Sequence, residues 1–371
     1  MISSQYLFLK GRSPYALHDL VGANTLMLQL MKDNKEVLGI AAQDSHFDET
    51  IARTFQMLQE QSLDLELQFL GSDNDSAFFA FQTTNKTGHK FPSGYPARRA
   101  FVEFVVTTEF GDTLFHSGAI DQDYEIIGQD AEMEPHHLVI DDPGQVQIYE
   151  FVPADVQGNF TTILERAFQT LKDNRLPPIG FTKSHSAYDT TRIHGDALAD
   201  PDFNMSDSGE GNGSDRLQYH IPLGGYEGYL KICAKVHYQS LPPKWMAPLF
   251  ADSTPEIELF RTMYDAADLT PVLIGERVID SVLIESPSSI RTLSDDVRLI
   301  LYPNPSEDGL VYLSNPDNID IEGVDIYDLR GRQLVSIEGN ASAIQLPAIS
   351  QTLIVVIRTK DGLIVRKLLT R

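Results

Sequence analysis

Between Gly228 and Ser240 the chain alternates without a break. Leu230, Ile232, Ala234, Val236 and Tyr238 fall on one side, and Lys231, Cys233, Lys235 and His237 on the other. A period of two sustained over this length marks a strand with one face in a core and the other towards solvent. The same alternation runs through Leu63, Leu65, Leu67 and Phe69, set against Asp64, Glu66 and Gln68. Further strands are expected over Ala77–Thr84, Arg98–Thr108, Thr113–Ser117, Gln145–Val152 and Leu217–Ile221, with Gly111-Asp112 turning a hairpin. An apolar run, Val272–Ile284, closes this region.

Helical spacing interrupts the strands. Residues 14–34 carry Leu17, Leu20, Val21, Asn24, Met27, Leu28 and Met31 on one stripe. A second helix is expected from Ser45, where Asp48 completes a capping-box-like pair and Phe47, Ile51, Phe55 and Leu58 form the buried face. A third is expected over Asn159–Asp173, with Leu164, Phe168 and Leu171 inward, and Thr254-Pro255 opens another. Residues 182–215 are rich in Gly, Asp and Ser and read as a long surface loop. The expected fold is mainly β with helices. It has a helical N-terminal segment (1–62), a β-sandwich-like central domain with inserted helices (63–285), a linker (286–296) and a small immunoglobulin-like β-sandwich (297–371).

Charge and cysteine usage narrow the function classes. Among 371 residues, 53 acids face 29 bases, a formal net charge of −24. Such a chain offers no broad basic face to nucleic acid and is repelled by anionic membrane surfaces. No stretch nears the about 18 apolar residues of a membrane span. Cys233 is the one cysteine, so intrachain disulfides and thiolate metal clusters are excluded. The first ten residues lack the basic head and long apolar run of a signal peptide. The expectation is therefore either an internal protein or a chain that begins downstream of its export signal.

Two blocks of sequence carry a family resemblance. Leu301-Tyr-Pro-Asn-Pro-Ser306, Gly323-Val-Asp-Ile-Tyr-Asp-Leu-Arg-Gly-Arg-Gln-Leu334 and Val355–Leu369 together resemble the type A C-terminal sorting domain of type IX secretion, over roughly residues 297–371. That resemblance implies export through the periplasm to the cell surface or medium, with the secretion machinery as a partner. Leu17-His-Asp-Leu-Val-Gly-Ala-Asn24, Asn85-Lys-Thr-Gly-His-Lys-Phe-Pro-Ser-Gly94, Leu171-Lys-Asp-Asn-Arg-Leu-Pro-Pro178 and Tyr238-Gln-Ser-Leu-Pro-Pro-Lys-Trp245 are similar to the segment following the haem-bearing part of secreted multihaem c-type cytochromes. The attachment motif of that family, Cys-x-x-Cys-His, is missing, since a single Cys cannot supply it. Any haem c would come from another segment or from a partner.

The resemblance implies residues that would face such a haem. His89 follows Gly88 and precedes Pro92, a stiffened loop suited to present an axial imidazole. His18, on the first helical stripe, is the second candidate ligand. Lys90, Arg98 and Arg99 would neutralise haem propionates. Separately, Asp200, Asp202, Asn204 and Ser206 alternate like the first donors of a calcium loop, although Met205 stands where such a loop needs Gly. Asp207, Glu210 and Asp215 would complete a different oxygen cage. His136-His137 is a weak metal signal, because neighbours on a strand face opposite ways. No Gly-x-Ser-x-Gly, His-Glu-x-x-His or P-loop occurs, so no hydrolase chemistry is indicated. Two readings stay open. The first is a non-catalytic module capping the haems of an exported multihaem electron-transfer system. The second is a surface structural or adhesive β-protein, stabilised by calcium, with no redox role.

Overall fold

The computed structural model of the chain describes residues 21–130, 133–285, 299–346, 352–360 and 362–370. The fold is mainly β, and the chain divides into two units, Met1–Ile284 and Glu285–Arg371. The expected linker at 286–296 lies outside the described residues, and so does His18.

In the first unit, α1 (Thr25–Asp33), α2 (Lys35–Leu38) and α3 (Asp44–Gln56) come first, and a π-helical turn, Met57–Gln61, follows α3. Two expectations need correction here. Residues 21–24 are not helical, because Asn24 caps α1: its side chain accepts the Met27 N–H at 3.0 Å. The capping box at Ser45 does not form. The N-cap of α3 is Gln43, which makes no side-chain cap bond, and Asp48 pairs instead with Lys32 of α1.

The strands follow in the order β1 (Leu63–Ser72), β2 (Ser76–Asn85), β3 (Arg99–Thr108), β4 (Thr113–Ser117), β5 (Val139–Ile140), β6 (Ile148–Tyr149), β7 (Phe151–Ala154) and β8 (Gln169–Asp173). Then come β9 (Met205–Ser206), β10 (Gly209–Glu210), β11 (Ser214–Pro222), β12 (Gly228–Gln239), the helices α4 (Pro243–Phe250) and α5 (Pro255–Asp265), and β13 (Val272–Ile284). One sheet runs β1-β2-β11-β5; the other runs β13-β12-β3-β4, with β6 also on β3. Their inner faces share one core, in which Phe79, Phe81, Leu217 and Tyr219 meet Val102, Phe104, Ile232 and Val236. The rings of Phe104 and Tyr219 stack at 3.7 Å across it. Residues Leu230 to Tyr238 bury the face their alternation predicts.

The segment Asn159–Asp173 is not a helix. Only a 3₁₀ turn, Leu164–Arg166, occurs there, and β8 returns to pair antiparallel with β7. Nor is 182–215 a solvated loop throughout, since Asp200, Asn204 and Asp215 are buried within it.

The second unit pairs a three-stranded sheet, β14 (Ile300–Tyr302), β15 (Leu310–Ser314) and β18 (Ala343–Gln345), with a four-stranded one. The latter contains β16 (Ile321–Asp328), β17 (Gln333–Glu338), β19 (Thr352–Thr359) and β20 (Gly362–Leu369), in the order β17-β16-β19-β20. Val311, Val324, Ile326, Val355, Ile357 and Ile364 belong to its own core. No helix among the described residues is long and apolar enough to cross a membrane.

Candidate functional site

The loop after β2 is held at both ends. Asn85, wholly buried, donates its amide to the carbonyls of His89 (2.7 Å) and Leu176 (2.8 Å). Its carbonyl oxygen accepts from the backbone N–H of Thr87 (2.8 Å) and from the Thr87 hydroxyl (2.7 Å). Phe91 and Leu176 then exchange backbone hydrogen bonds at 2.9 and 2.8 Å. Between these anchors the side chain of His89 is exposed.

The tautomer of His89 follows from its neighbour. Nδ1 lies 3.0 Å from the carbonyl oxygen of Lys90. A carbonyl only accepts, so Nδ1 carries the proton and neutral His89 leaves the Nε2 lone pair bare. No hydrogen bond engages that nitrogen among the described residues. A ring held through Nδ1–H by a backbone carbonyl is how a metal-ligating histidine is normally oriented.

His89 borders a cavity of about 590 Å³ whose walls include Ile179, Phe181, His185 and Tyr188. Phe181 and Tyr188 meet edge to face at 5.9 Å. His185 is the opposite tautomer when neutral: its Nδ1 accepts the Ala187 N–H at 3.1 Å, so Nε2 bears the proton and is a donor. One imidazole in this cavity is thus a lone-pair donor and the other a hydrogen-bond donor. In the sequence His185 stands within the polar stretch 182–215, where nothing singles it out. The signal available was Phe181 and Tyr188, two aromatic residues close after Pro177-Pro178 in an otherwise polar stretch.

The expected propionate partners divide. The Lys90 ammonium points inward, to Asp173 (2.8 Å) and the Arg192 carbonyl (2.8 Å), and burial holds its pKa below the usual lysine value. Arg99 is an internal clamp, donating to Gln239 (2.7 Å), Gln129 (2.8 Å) and Glu125 (2.7 Å). Neither charge is available to a ligand. Arg98 gives Nη1 to the Ser93 carbonyl at 2.9 Å and borders a second cavity that also touches His89.

The calcium ladder does not assemble either. Asp200 turns inward to Nε2 of His136 (2.8 Å) and accepts the Asp202 N–H (2.7 Å). Asn204, at φ +58°, donates to the Phe181 carbonyl (2.9 Å) and accepts from the Gly213 N–H (3.1 Å), so it props a wall of the first cavity. Asp202 is half-buried and Asp207 lies exposed between β9 and β10. Asp200 and Asn204 are thus engaged within the protein, apart from the exposed Asp207.

A different set does converge. His136, Asp200 and Asp215 are all buried, with one potential ligand atom each within 4.8 Å of the others. The hydrogen-bond network around them decides their chemistry. Asn174 is oriented by the Glu150 N–H on its oxygen (2.9 Å), and Gln147 by the His137 N–H on its oxygen (3.0 Å). Both therefore present NH₂ groups to Nδ1 of His136, at 3.1 and 2.8 Å. Nδ1 must accept, and Nε2 must carry the proton given to Asp200. Neither ring nitrogen is open to a metal ion. Asp215 accepts from Gln147 (3.1 Å) and Tyr149 (2.8 Å) through one oxygen, while the other has no partner. Burial pushes its pKa up from the usual aspartate value.

Neither a protein-family profile nor a curated protein sequence matches the chain. Two solved structures are similar in part. One is a penta-heme cytochrome c552 from Thermochromatium tepidum, 16% identical, covering 61% of this chain and 41% of that one, with a TM-score of 0.34. The other is HBP35 of Porphyromonas gingivalis, 10% identical, covering 88% of this chain and 69% of that one, with a TM-score of 0.20. The chain spans less than half the length of the cytochrome.

Proposed function

We propose that this chain is a non-catalytic capping module for a haem carried by another segment or partner of an exported multihaem cytochrome system. One observation carries the reading. His89 is exposed on an anchored loop, its Nδ1–H is tied to the Lys90 carbonyl and its Nε2 is bare, beside a cavity with aromatic walls. That donor suits iron as an axial ligand. His185 supplies a hydrogen-bond donor in the same cavity, and Phe181 and Tyr188 offer apolar surface to a flat macrocycle. When bound, the haem supplies one-electron redox chemistry. The chain itself binds, orients the ring through His89 and shields it from water. The second unit is read as the type IX sorting domain, on the three motifs of residues 297–371.

The test uses a short haem c peptide that carries its own proximal histidine. The full chain alone is expected to be colourless, since covalent attachment needs two thiols. On mixing, the peptide spectrum is expected to become six-coordinate low-spin. His89→Ala is expected to return it to high spin, whereas His185→Ala keeps it low-spin. A low-spin spectrum that survives His89→Ala, or none with the unaltered chain, refutes the reading. For the second unit, deletion of residues 297–371 in a secreting host is expected to hold the protein in the periplasm, and normal surface delivery refutes the sorting assignment.

A further inference from the structure

We propose that the second cavity beside His89 is a carboxylate-binding site built on Arg98 and Tyr238. Its volume is about 410 Å³, and Arg53, Lys86, Phe91, Arg98 and Tyr238 are among its walls. No Asp or Glu lines it among the described residues. In a chain with 53 acids and 29 bases, a cavity lined by three cations and no acid has the opposite sign to the molecule around it.

Charge alone does not make a site; two buried donors without well-formed hydrogen bonds do. Tyr238 is 1% exposed, at the end of β12, and its hydroxyl, though near Arg98 and Ser240, makes no hydrogen bond of normal geometry. The Nε of Arg98, equally shielded from solvent, has none either. The Arg98 guanidinium is held where it is by the Ser93 carbonyl on Nη1 and by the bare backbone of Gly94. At φ +88°, a Cβ on that glycine would lie 2.7 Å from Nη1. Only glycine leaves this space. A protein that keeps two donors buried and unmatched bears the desolvation cost of each. A carboxylate relieves both, because its two oxygens match the arginine fork and a hydroxyl at once.

The other cations contribute field rather than contact. Lys86 reaches Asp64 at 3.0 Å and Arg53 reaches Glu49 at 3.4 Å, both on the solvent side. Phe91, Met57 and the Tyr238 ring add apolar wall, so the fitting ligand is a carboxylate on a short apolar arm rather than an inorganic anion. Such an arm is present in a free short-chain acid, and it is present as a side arm of a macrocycle seated over His89. The first source is independent of the haem reading; the second rests on it.

The experiment titrates the full chain with propionate, with propionamide as the uncharged control, by calorimetry and thermal melting. Propionate is expected to bind and raise the melting temperature, and propionamide to do neither. Tyr238→Phe, which removes an unmatched hydroxyl without changing packing, is expected to fold normally and to bind propionate about tenfold more weakly, the scale of one lost hydrogen bond. Arg98→Lys, which keeps the charge and loses the fork, is expected to weaken binding at least as much. Binding unchanged in both variants overturns the site. The two sources separate with the haem c peptide and its propionate dimethyl ester. Weaker binding of the ester, lost in Tyr238→Phe, assigns the site to the macrocycle arm. Propionate binding with no difference between peptide and ester assigns it to a free acid. No response to propionate and no penalty for the ester together overturn the proposal, and His89 ligation measured in the same titration reports separately on the capping function.

Discussion

His89 and His136 are both imidazoles fixed by their neighbours, and they differ in which nitrogen is fixed. A backbone carbonyl on Nδ1 leaves His89 with a free lone pair; two pinned amides on Nδ1 leave His136 with none. The pairing of His136 with Asp200 therefore serves the core. His136→Ala is expected to cost about 3 kcal/mol in urea unfolding, since it strands a buried carboxylate and two amides. Millimolar zinc or calcium is expected to leave the melting temperature unchanged, and a rise with either ion would contradict the proton assignment. Asp215 gives the opposite kind of prediction. Its folded pKa is raised by burial, so the unfolded chain ionises first as pH climbs past the ordinary aspartate value, and stability falls until the folded group follows. Asp215→Asn, which cannot ionise, is expected to remove that slope. Unfolding curves at pH 5 and pH 8 check it. At this scale the sequence shows which residues are chemical, but not their tautomers. That of His89 depends on how the anchored loop turns the adjacent Lys90 carbonyl, and that of His136 on Gln147 and Asn174, which are remote from it in sequence.

Elements were legible where one face alone is buried. The alternation of β12, and of β1 as far as Leu67, is read directly because a period of two has no other cause in a sandwich, whereas Phe69 ends up exposed. Asn159–Asp173 misleads because Leu164, Phe168 and Leu171 repeat at i, i+4 and i+7 while the structure leaves Phe168 74% exposed. Asp155 accepts the N–H groups of Gln157 and Asn159 through its side chain (2.8 and 3.0 Å), and Gly158 turns at φ +89°. This turn sends the chain back to pair with β7, and cross-strand pairing outweighs helical spacing. Helix ends were read unevenly for a similar reason. Thr254 does cap α5, accepting the Ile257 N–H at 3.3 Å, whereas α3 starts one residue earlier than Ser45 and lacks a side-chain cap. Gln43 already has the extended backbone of an N-cap, φ −76° and ψ 152°. Gln43→Ser is expected to gain about 1 kcal/mol and Thr254→Ala to lose about as much, both measured by denaturant midpoint at constant slope.

At the scale of the whole chain, the sequence separates a final block of short strands from the rest because its turns fall at Pro303–Pro305, Asp308-Gly309, Arg330-Gly331 and Asp361-Gly362. Each unit closes its own core. The large cluster around Phe79, Phe104 and Tyr219 ends at Ile284, and the cluster around Val324, Val355 and Ile364 begins at Leu299. A domain with its own buried core unfolds as its own cooperative unit. Residues 21–285 and 299–371, made as separate chains, are therefore each expected to melt in one transition, and the intact protein is expected to show the sum of the two. Calorimetry decides it. For a domain near the size of the second unit, about 1 kcal/mol of coupling shifts the melting temperature by about 4–8 °C. A shift that large between fragment and intact chain would mean that the units share stabilising contacts. Coincident transitions would mean that the second unit is carried as a separate body, as a removable sorting domain requires.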